Sequence, residues 1–328
     1  KARGRGSVLV GEHDGDGGGG VVVVEGADFG HELLLVQIWA EEDRAPPWKG
    51  ELDLVDAETG QVLRRYLGHD NAAWGLDISP DGRYVYFASR DGWITKYDIY
   101  NLKVITEVRA GINTRNLAVS GDGKTVLVGN YLPHSLVLLN AEDLSLIKVI
   151  PVVGPDGTSS RVSAVYQAEP RGSFVAALKD DKEVWEIPYT AKDFPVRRIA
   201  VDNYMDDFFF DQSYRHLIGA AREGSKGQVI DLDSGKKIAE LELPGMPHLA
   251  SGITWEYQGR PVMATPILKE PLVSVIDMKK GVRLRDITVG VRPNDMALAP
   301  DGRVLYYTVA DEVGRKARLV RREIESGR

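Results

Sequence analysis

Short apolar runs alternate with polar turns along nearly the whole chain. In LDISPDGRYVYFASRDGWITKYDIYNLKVITEVRAG, runs of Val, Ile, Tyr and Phe are broken every few residues by Pro-Asp-Gly, Arg-Asp-Gly or Asn-Leu, a succession of strands and tight turns. No apolar spacing of helical period appears between Asp56 and Gly290. An apolar strand ending in an acid or amide recurs at Asp56, Asp98, Asn140, Glu186, Asp231 and Asp277, at spacings of 42, 42, 46, 45 and 46 residues. Four antiparallel strands in each such period predict an all-β fold, a β-propeller of four-stranded blades. Units begin near residues 69, 113, 160, 206, 250 and 294, and HELLLVQIW with GELDLVDAETGQVLRRY supplies most of one more, so seven blades are countable. Residues 1–328 form one propeller domain on this reading. The runs Ser7–Val10 and Val21–Val24, within an N-terminal segment 1–30 that carries a Gly-rich loop, are expected to close the ring on the last blade or to build part of an eighth.

Naming the strands of a blade A to D from the axis outward sorts the chemistry by face. The B–C loops and the D–A links between blades share one rim. The B–C loops carry Arg90, Tyr131 with His134, Lys179 and Arg222; the links carry His69, Arg115, the Asp206-Asp207 pair and His248. The other face is predicted to be hairpin turns of the Pro-Asp-Gly kind.

Composition narrows the chemistry. The 41 Lys and Arg against 48 Asp and Glu leave a net charge of -7, which gives no field to draw in nucleic acid. With 0 cysteines there is no disulfide, thiolate nucleophile, iron–sulfur cluster or covalently attached c-type haem. No apolar stretch approaches the ~20 residues of a membrane-spanning helix, and a soluble chain is expected. It begins at Lys1 rather than Met, which is compatible with a removed leader.

Taken singly, each rim residue has two readings. His134, after Pro133, suits a metal or haem iron, or bonds a nearby carbonyl. His248, in GMPHLASG, faces the axis or packs between blades. Arg90 and Arg115 match carboxylates with their guanidinium forks, or pair with Asp91 and its neighbours. Asp206 and Asp207 bind a cation, share a proton, or are solvated. The run His13-Asp14-Gly15-Asp16 hints at calcium but lacks the spacing of a calcium loop.

Four strings go further: GRYVYFASRDGWITKYDIYNLKVITEVRAG (82–111), TRNLAVSGDGKTVLVGNYLPHSLVLLNAEDL (114–144), EVWEIPY (183–189) and ELPGMPHLASGITWEYQGRPVMATPILKEPLVSVIDM (242–278). Together they resemble the d1-haem domain of cytochrome cd1 nitrite reductase and the related propellers of haem d1 biosynthesis. The resemblance implies an eight-bladed propeller holding a carboxylate-rich d1 haem, or a d1 precursor, non-covalently over its axis. Arg90 and Arg115 would then meet the haem carboxylates, with Tyr131, Lys179 and Arg222 completing the cofactor-binding set. His134 would be the axial iron ligand, and His248 a distal catalytic histidine. It further implies a periplasmic location, a part in denitrification, and a redox or biosynthetic protein partner.

Two departures shape the expected activity. Where the reductases place a second distal histidine, this chain reads NYMDDFFFDQ, so Asp206 and Asp207 take the catalytic position. The c-type haem domain of the reductases has no counterpart either. A haem d1-binding propeller acting in d1-haem maturation or delivery, or in nitrite-reductase-like oxidoreductase chemistry, is the first expectation. A protein-binding propeller that has lost the haem is the alternative. A lactonase-like hydrolase lacks the convergent Glu, Asp and Asn set that its calcium needs.

Overall fold

The computed structural model describes the strands β1–β4 and, from Ala73 to the strand that ends at Glu323, most of the chain; residues 1–20, 26–31, 40–49, 57–61, 68–72 and 221–225, with short segments beyond 243, lie outside the description. The described residues form seven antiparallel sheets, six of four strands and one of three. In chain order these are β1–β4 (Val21–Glu25, Glu32–Trp39, Gly50–Asp56, Val62–Leu67), β5–β8 (Ala73–Ile78, Tyr84–Ser89, Trp93–Asp98, Lys103–Arg109) and β9–β12 (Asn113–Val119, Thr125–Leu132, Ser135–Asn140, Leu146–Pro151). There follow β13–β16 (Val162–Ala168, Ser173–Leu178, Glu183–Pro188, Arg197–Ala200) and β17–β20 (Asp207–Phe210, His216–Ala220, Lys226–Asp231, Lys236–Glu242). The last two are β21–β24 (Ile253–Tyr257, Arg260–Ile267, Leu272–Asp277, Val282–Thr288) and β25–β27 (Pro293–Leu298, Val304–Ala310, Ala317–Glu323). Each sheet is a meander of sequence neighbours, and first strands of consecutive sheets touch, as β5 with β9, β9 with β13 and β13 with β17.

Burial follows from this packing. The second and third strands of a sheet are covered on both faces, so Tyr84–Ser89 and Ser135–Asn140 are buried almost throughout, whereas the outer β8 and β24 are largely exposed. The core is accordingly divided into layers between neighbouring sheets. One layer joins Tyr86 and Ile94 to Leu117, Val128 and Leu139; the next joins Leu127 and Leu138 to Phe174, Ala176 and Trp185. At about 25 cal/mol per Å² of apolar surface removed from water, these layers are the main favourable contribution to the fold. Inner strands come close enough that a Cβ on Gly75 would lie 2.6 Å from Asn116 Cβ, so glycine is required there. Polar ties cross the same seams: Asp77 accepts the Val119 N–H at 2.7 Å, Asn116 exchanges two bonds with the Val165 backbone at 2.9 and 3.0 Å, and Ser163 donates to Met205 C=O at 2.6 Å.

The N-terminal run departs from expectation. Val21–Glu25 is neither a strand of the last sheet nor part of an eighth; it pairs with Glu32–Trp39 in the register Val21↔Val36 to Glu25↔Glu32, as the inner strand of the first sheet. The physical reason is that Glu32–Trp39, Gly50–Asp56 and Val62–Leu67 already supply three strands, and their free inner edge takes the nearest β-branched run. β1 also touches β25, which brings the first and last sheets together. Ser7–Val10 and the His13–Asp16 segment lie outside the described residues.

Candidate cofactor site on the rim

The rim chemistry is built around Tyr131, near the end of β10, with 7% of its surface exposed. Four cations from three neighbouring sheets and their links surround its ring. Arg90, between β6 and β7, has its Cζ 4.9 Å from the ring centroid; Arg115 in β9 lies at 5.5 Å, Arg161 just before β13 at 5.3 Å, and the Lys179 Nζ, just after β14, at 5.4 Å. Arg115 is completely buried, and its Nε–H donates to Ser163 C=O at 3.3 Å. The Tyr131 hydroxyl is buried beside the Lys179 ammonium.

Two carboxylates hold part of this set. Asp180 takes Arg161 in a bidentate fork at 2.8 and 2.6 Å and accepts its backbone N–H as well. The Arg161 bond holds the Asp180 carboxyl below the usual range, although burial opposes it. Asp206 pairs with Lys179 at 2.6 Å; burial works against the Lys179 ammonium, and Asp206 and Tyr131 together more than offset it, so the amine is held above its usual value.

Asp206 and Asp207 are adjacent in sequence but serve different partners. Asp207 opens β17, accepts the Phe208 N–H at 2.9 Å and lies 3.4 Å from the Tyr166 hydroxyl, which donates to it. Both residues are buried. The solvated-loop reading of this pair does not hold, since both are buried, and a shared proton has no geometric basis either, since Asp206 pairs with an ammonium and Asp207 opens its own strand.

His134 occupies the turn between β10 and β11 and is partly exposed. Its Nδ1 is 2.7 Å from Ser159 Oγ, and its C=O accepts the Val152 N–H at 3.0 Å. His248 is 4% exposed, donates its backbone N–H to Pro266 C=O at 2.9 Å, and accepts the Thr265 hydroxyl on its own C=O. The antiparallel bridge between Pro247 and Ile267 sets it at the end of β22, on the same rim as the turns that carry Arg90, His134 and Lys179. Arg222 and His69 lie outside the described residues.

The structure thus brings together Arg90, Arg115, Tyr131 and Lys179 and adds Arg161, Ser159 and Asp180, which motif reading passed over. Their signal was positional. Residues 152–161 are the link that leads into β13, and Arg161 ends it at the rim.

The cytochrome D1 heme domain model matches residues 47–316. The dihydro-heme d1 dehydrogenase of Pseudomonas aeruginosa is 54% identical over 235 residues, covering 71% of this chain and 48% of that protein. A nitrite reductase of Stutzerimonas stutzeri is 28% identical over 240 residues, covering 69% of this chain and 43% of that protein. This chain therefore spans about half the length of these two relatives. A solved structure of dihydro-heme d1 dehydrogenase NirN in complex with DHE superposes with a TM-score of 0.75 at 47% identity, over 84% of this chain and 59% of that one. With the family match covering most of its length and a rim whose cations converge on one buried tyrosine, this chain belongs to the cytochrome d1 haem domain family.

Proposed function

We propose that this propeller binds a d1-type tetrapyrrole without a covalent link and serves in its maturation, in the dehydrogenation of a dihydro-haem d1 to which its dehydrogenase relative owes its name. The observation that carries the reading is the set of four cations around Tyr131. Three guanidiniums and an ammonium are gathered within about 6 Å of one aromatic ring; Asp180 and Asp206 answer the charges of Arg161 and Lys179, and the carboxylates of a ligand would add to them at this positive patch. The donor set fits a ring bearing several carboxylates.

In this assignment Arg90 and Arg115 would meet the ring's carboxylates, Arg161 stays in its fork with Asp180 beside them, and Lys179 adds a point charge that Asp206 aims. His134 presents an imidazole to the iron, with Ser159 on its other nitrogen. When bound, the d1-type ring supplies the iron and the conjugated system that exchanges electrons. The protein's own part is to orient the ring, exclude water from its carboxylates, and hold His248 on the same rim as a proton-handling group. A periplasmic location, a part in denitrification and a redox or biosynthetic protein partner belong to the same proposal.

The pairing of Asp206 with Lys179 favours maturation over nitrite reduction. A carboxylate tied to an ammonium is a poor proton donor to a bound anion. The test is a titration of the protein with haem d1, with dihydro-haem d1 and with haem b, followed by absorption. Saturable binding of the d1-type rings, weakened roughly tenfold to a hundredfold in Arg115→Met, is expected from the loss of one charge-assisted bond. Equal affinity for haem b, or no saturable change with the d1-type rings, would overturn the assignment.

A further inference from the structure

The segment between β12 and β13 closes a circuit of hydrogen bonds around His134. Its foot is tied to the main chain of that histidine, with the Val152 N–H on His134 C=O at 3.0 Å and the Ser160 N–H on Val152 C=O at 3.1 Å. Beyond Val152 the chain folds back as a small hairpin. Gly154 donates its N–H to Thr158 C=O at 2.7 Å, Val153 and Ser159 form an antiparallel bridge, and the Asp156 carboxylate accepts both the N–H and the hydroxyl of Thr158 at 2.9 Å. Asp156 and Gly157, at a φ of 84°, form the tip. The return strand ends with Ser159 Oγ 2.7 Å from His134 Nδ1. One residue on, the Ser160 hydroxyl accepts the Asp180 N–H at 2.9 Å, and Arg161 grips the Asp180 carboxylate. The loop that fixes the backbone of His134 therefore also reaches its ring and is anchored in the cation set.

An imidazole can offer a metal only a nitrogen that carries no hydrogen, and the partner of the other nitrogen decides which one that is. If the Ser159 hydroxyl accepts, Nδ1 keeps the hydrogen and Nε2 is open. If it donates, the hydrogen sits on Nε2 and the ligand position is shut. We propose that Ser159 is a positioning residue that holds His134 in its Nδ1–H tautomer, leaving Nε2 as the nitrogen presented to the iron of a d1-type ring. The inference rests on the reading of His134 as the axial ligand. The hairpin exists on this view to keep the Ser159 oxygen in place before any ring is bound, so that the histidine is set in advance.

The test uses the full chain labelled with 15N in its histidines. Without haem, at a pH where the imidazole is neutral, the ring nitrogens of His134, assigned by comparison with His134→Ala, should report the Nδ1–H tautomer. Ser159→Ala should give a mixture, and Ser159→Thr should restore the single form. With haem d1 added, Ser159→Ala should bind roughly tenfold more weakly with altered bands, the usual scale for losing an outer partner of a metal ligand. Asp156→Ala, which loosens the hairpin but keeps the hydroxyl, should fall between. An Nε2–H tautomer in the wild type, or an unchanged tautomer in Ser159→Ala, overturns the inference. An unaltered haem spectrum in His134→Ala overturns the axial reading, and with it the purpose assigned to Ser159. An altered spectrum in His134→Ala beside a Ser159→Ala protein that matches the wild type overturns the Ser159 inference alone.

Discussion

Replacing Asp77 by Asn should make the protein more stable at mildly alkaline pH and about 1 kcal/mol less stable in acid, where only the lost hydrogen bond counts. Asp77 sits in β5, 7% exposed, and accepts two backbone N–H groups: that of Ile78 at 2.8 Å and, across the seam to the next sheet, that of Val119 at 2.7 Å. Burial pushes its carboxyl from 3.8 up to about 7, against the pull of the two N–H groups, which favour the charged form. In the unfolded chain the group ionises near its ordinary value, so between about pH 4 and 7 the folded protein keeps a proton that the unfolded chain has released. Stability from this group is complete below that window and is lost as the pH rises through it. At about 1.4 kcal/mol per pH unit the loss reaches at most about 4 kcal/mol. Asn has the same shape and does not ionise, but its amide N–H₂ cannot accept the second backbone bond, which costs about 1 kcal/mol. The net gain of Asp77→Asn above pH 7 is therefore about 2 to 3 kcal/mol. Urea denaturation of both proteins across pH 4.5 to 8.5 should show curves that diverge in favour of Asn as the pH rises, in the range where unfolding free energies of this kind are measured. Parallel curves, or a wild type that gains on the variant with rising pH, would mean that the two N–H bonds outweigh desolvation and that the carboxylate is ionised throughout.

Other outcomes follow from the site and the ring. Tyr131→Leu removes the face that four cations share; d1-type haem affinity measured by absorption should fall roughly tenfold or more, at about 0.5 to 1 kcal/mol per cation displaced. His134→Ala should shift the Soret and long-wavelength bands of the loaded protein, while His248→Ala should leave the ligation spectrum nearly intact and change the reaction with added anions, checked by stopped-flow absorption. Deleting residues 1–30 removes β1, the inner strand of the first sheet and its contact with β25, and should lower the melting temperature; an unchanged melting curve would show that the ring does not depend on that strand.

The blade period was legible because the fold needs the residues that mark it. Asp98 accepts the N–H groups of Tyr100 and Asn101 at 2.9 Å, Asp231 those of Asp233 and Ser234 at 2.9 Å, and Asn140 that of Glu142 at 2.8 Å. Each caps the turn into the outer strand, the role for which Asp and Asn side chains are suited. A basic residue from the first hairpin of the same sheet then binds the acid, as Arg83 binds Asp98, Arg171 binds Glu186 and Arg215 binds Asp231. A position that must cap a turn in successive blades leaves a trace of Asp, Glu or Asn at nearly fixed spacing, whatever else changes around it. The pairing of Val21–Glu25 left no such trace. A run of four valines fits several sheet edges equally well, and only closure of the ring selects one.

The site was legible to a different extent, and the difference has a physical origin. Arg90, Arg115, Tyr131 and Lys179 could be placed on one rim because strand order fixes the end of the blade at which each turn emerges. Which of them meet depends on how neighbouring blades nest, and that is set by packing between sheets. Tyr131 ends the second strand of the sheet β9–β12, so the turns of the sheets on either side lean over it: Arg90 comes from one side, Arg161 and Lys179 from the other, and Arg115 from below in β9. Sequence proximity misled at Asp206 and Asp207 for the converse reason. Entering a strand turns consecutive side chains to opposite sides, which sends Asp206 to Lys179 and leaves Asp207 with Tyr166 and Phe208. In a ring of repeats, a ligand site is therefore better sought among all the links and turns that share one rim than by scanning for adjacent reactive residues, and Arg161, the last residue of the link into β13, is one that such a search recovers.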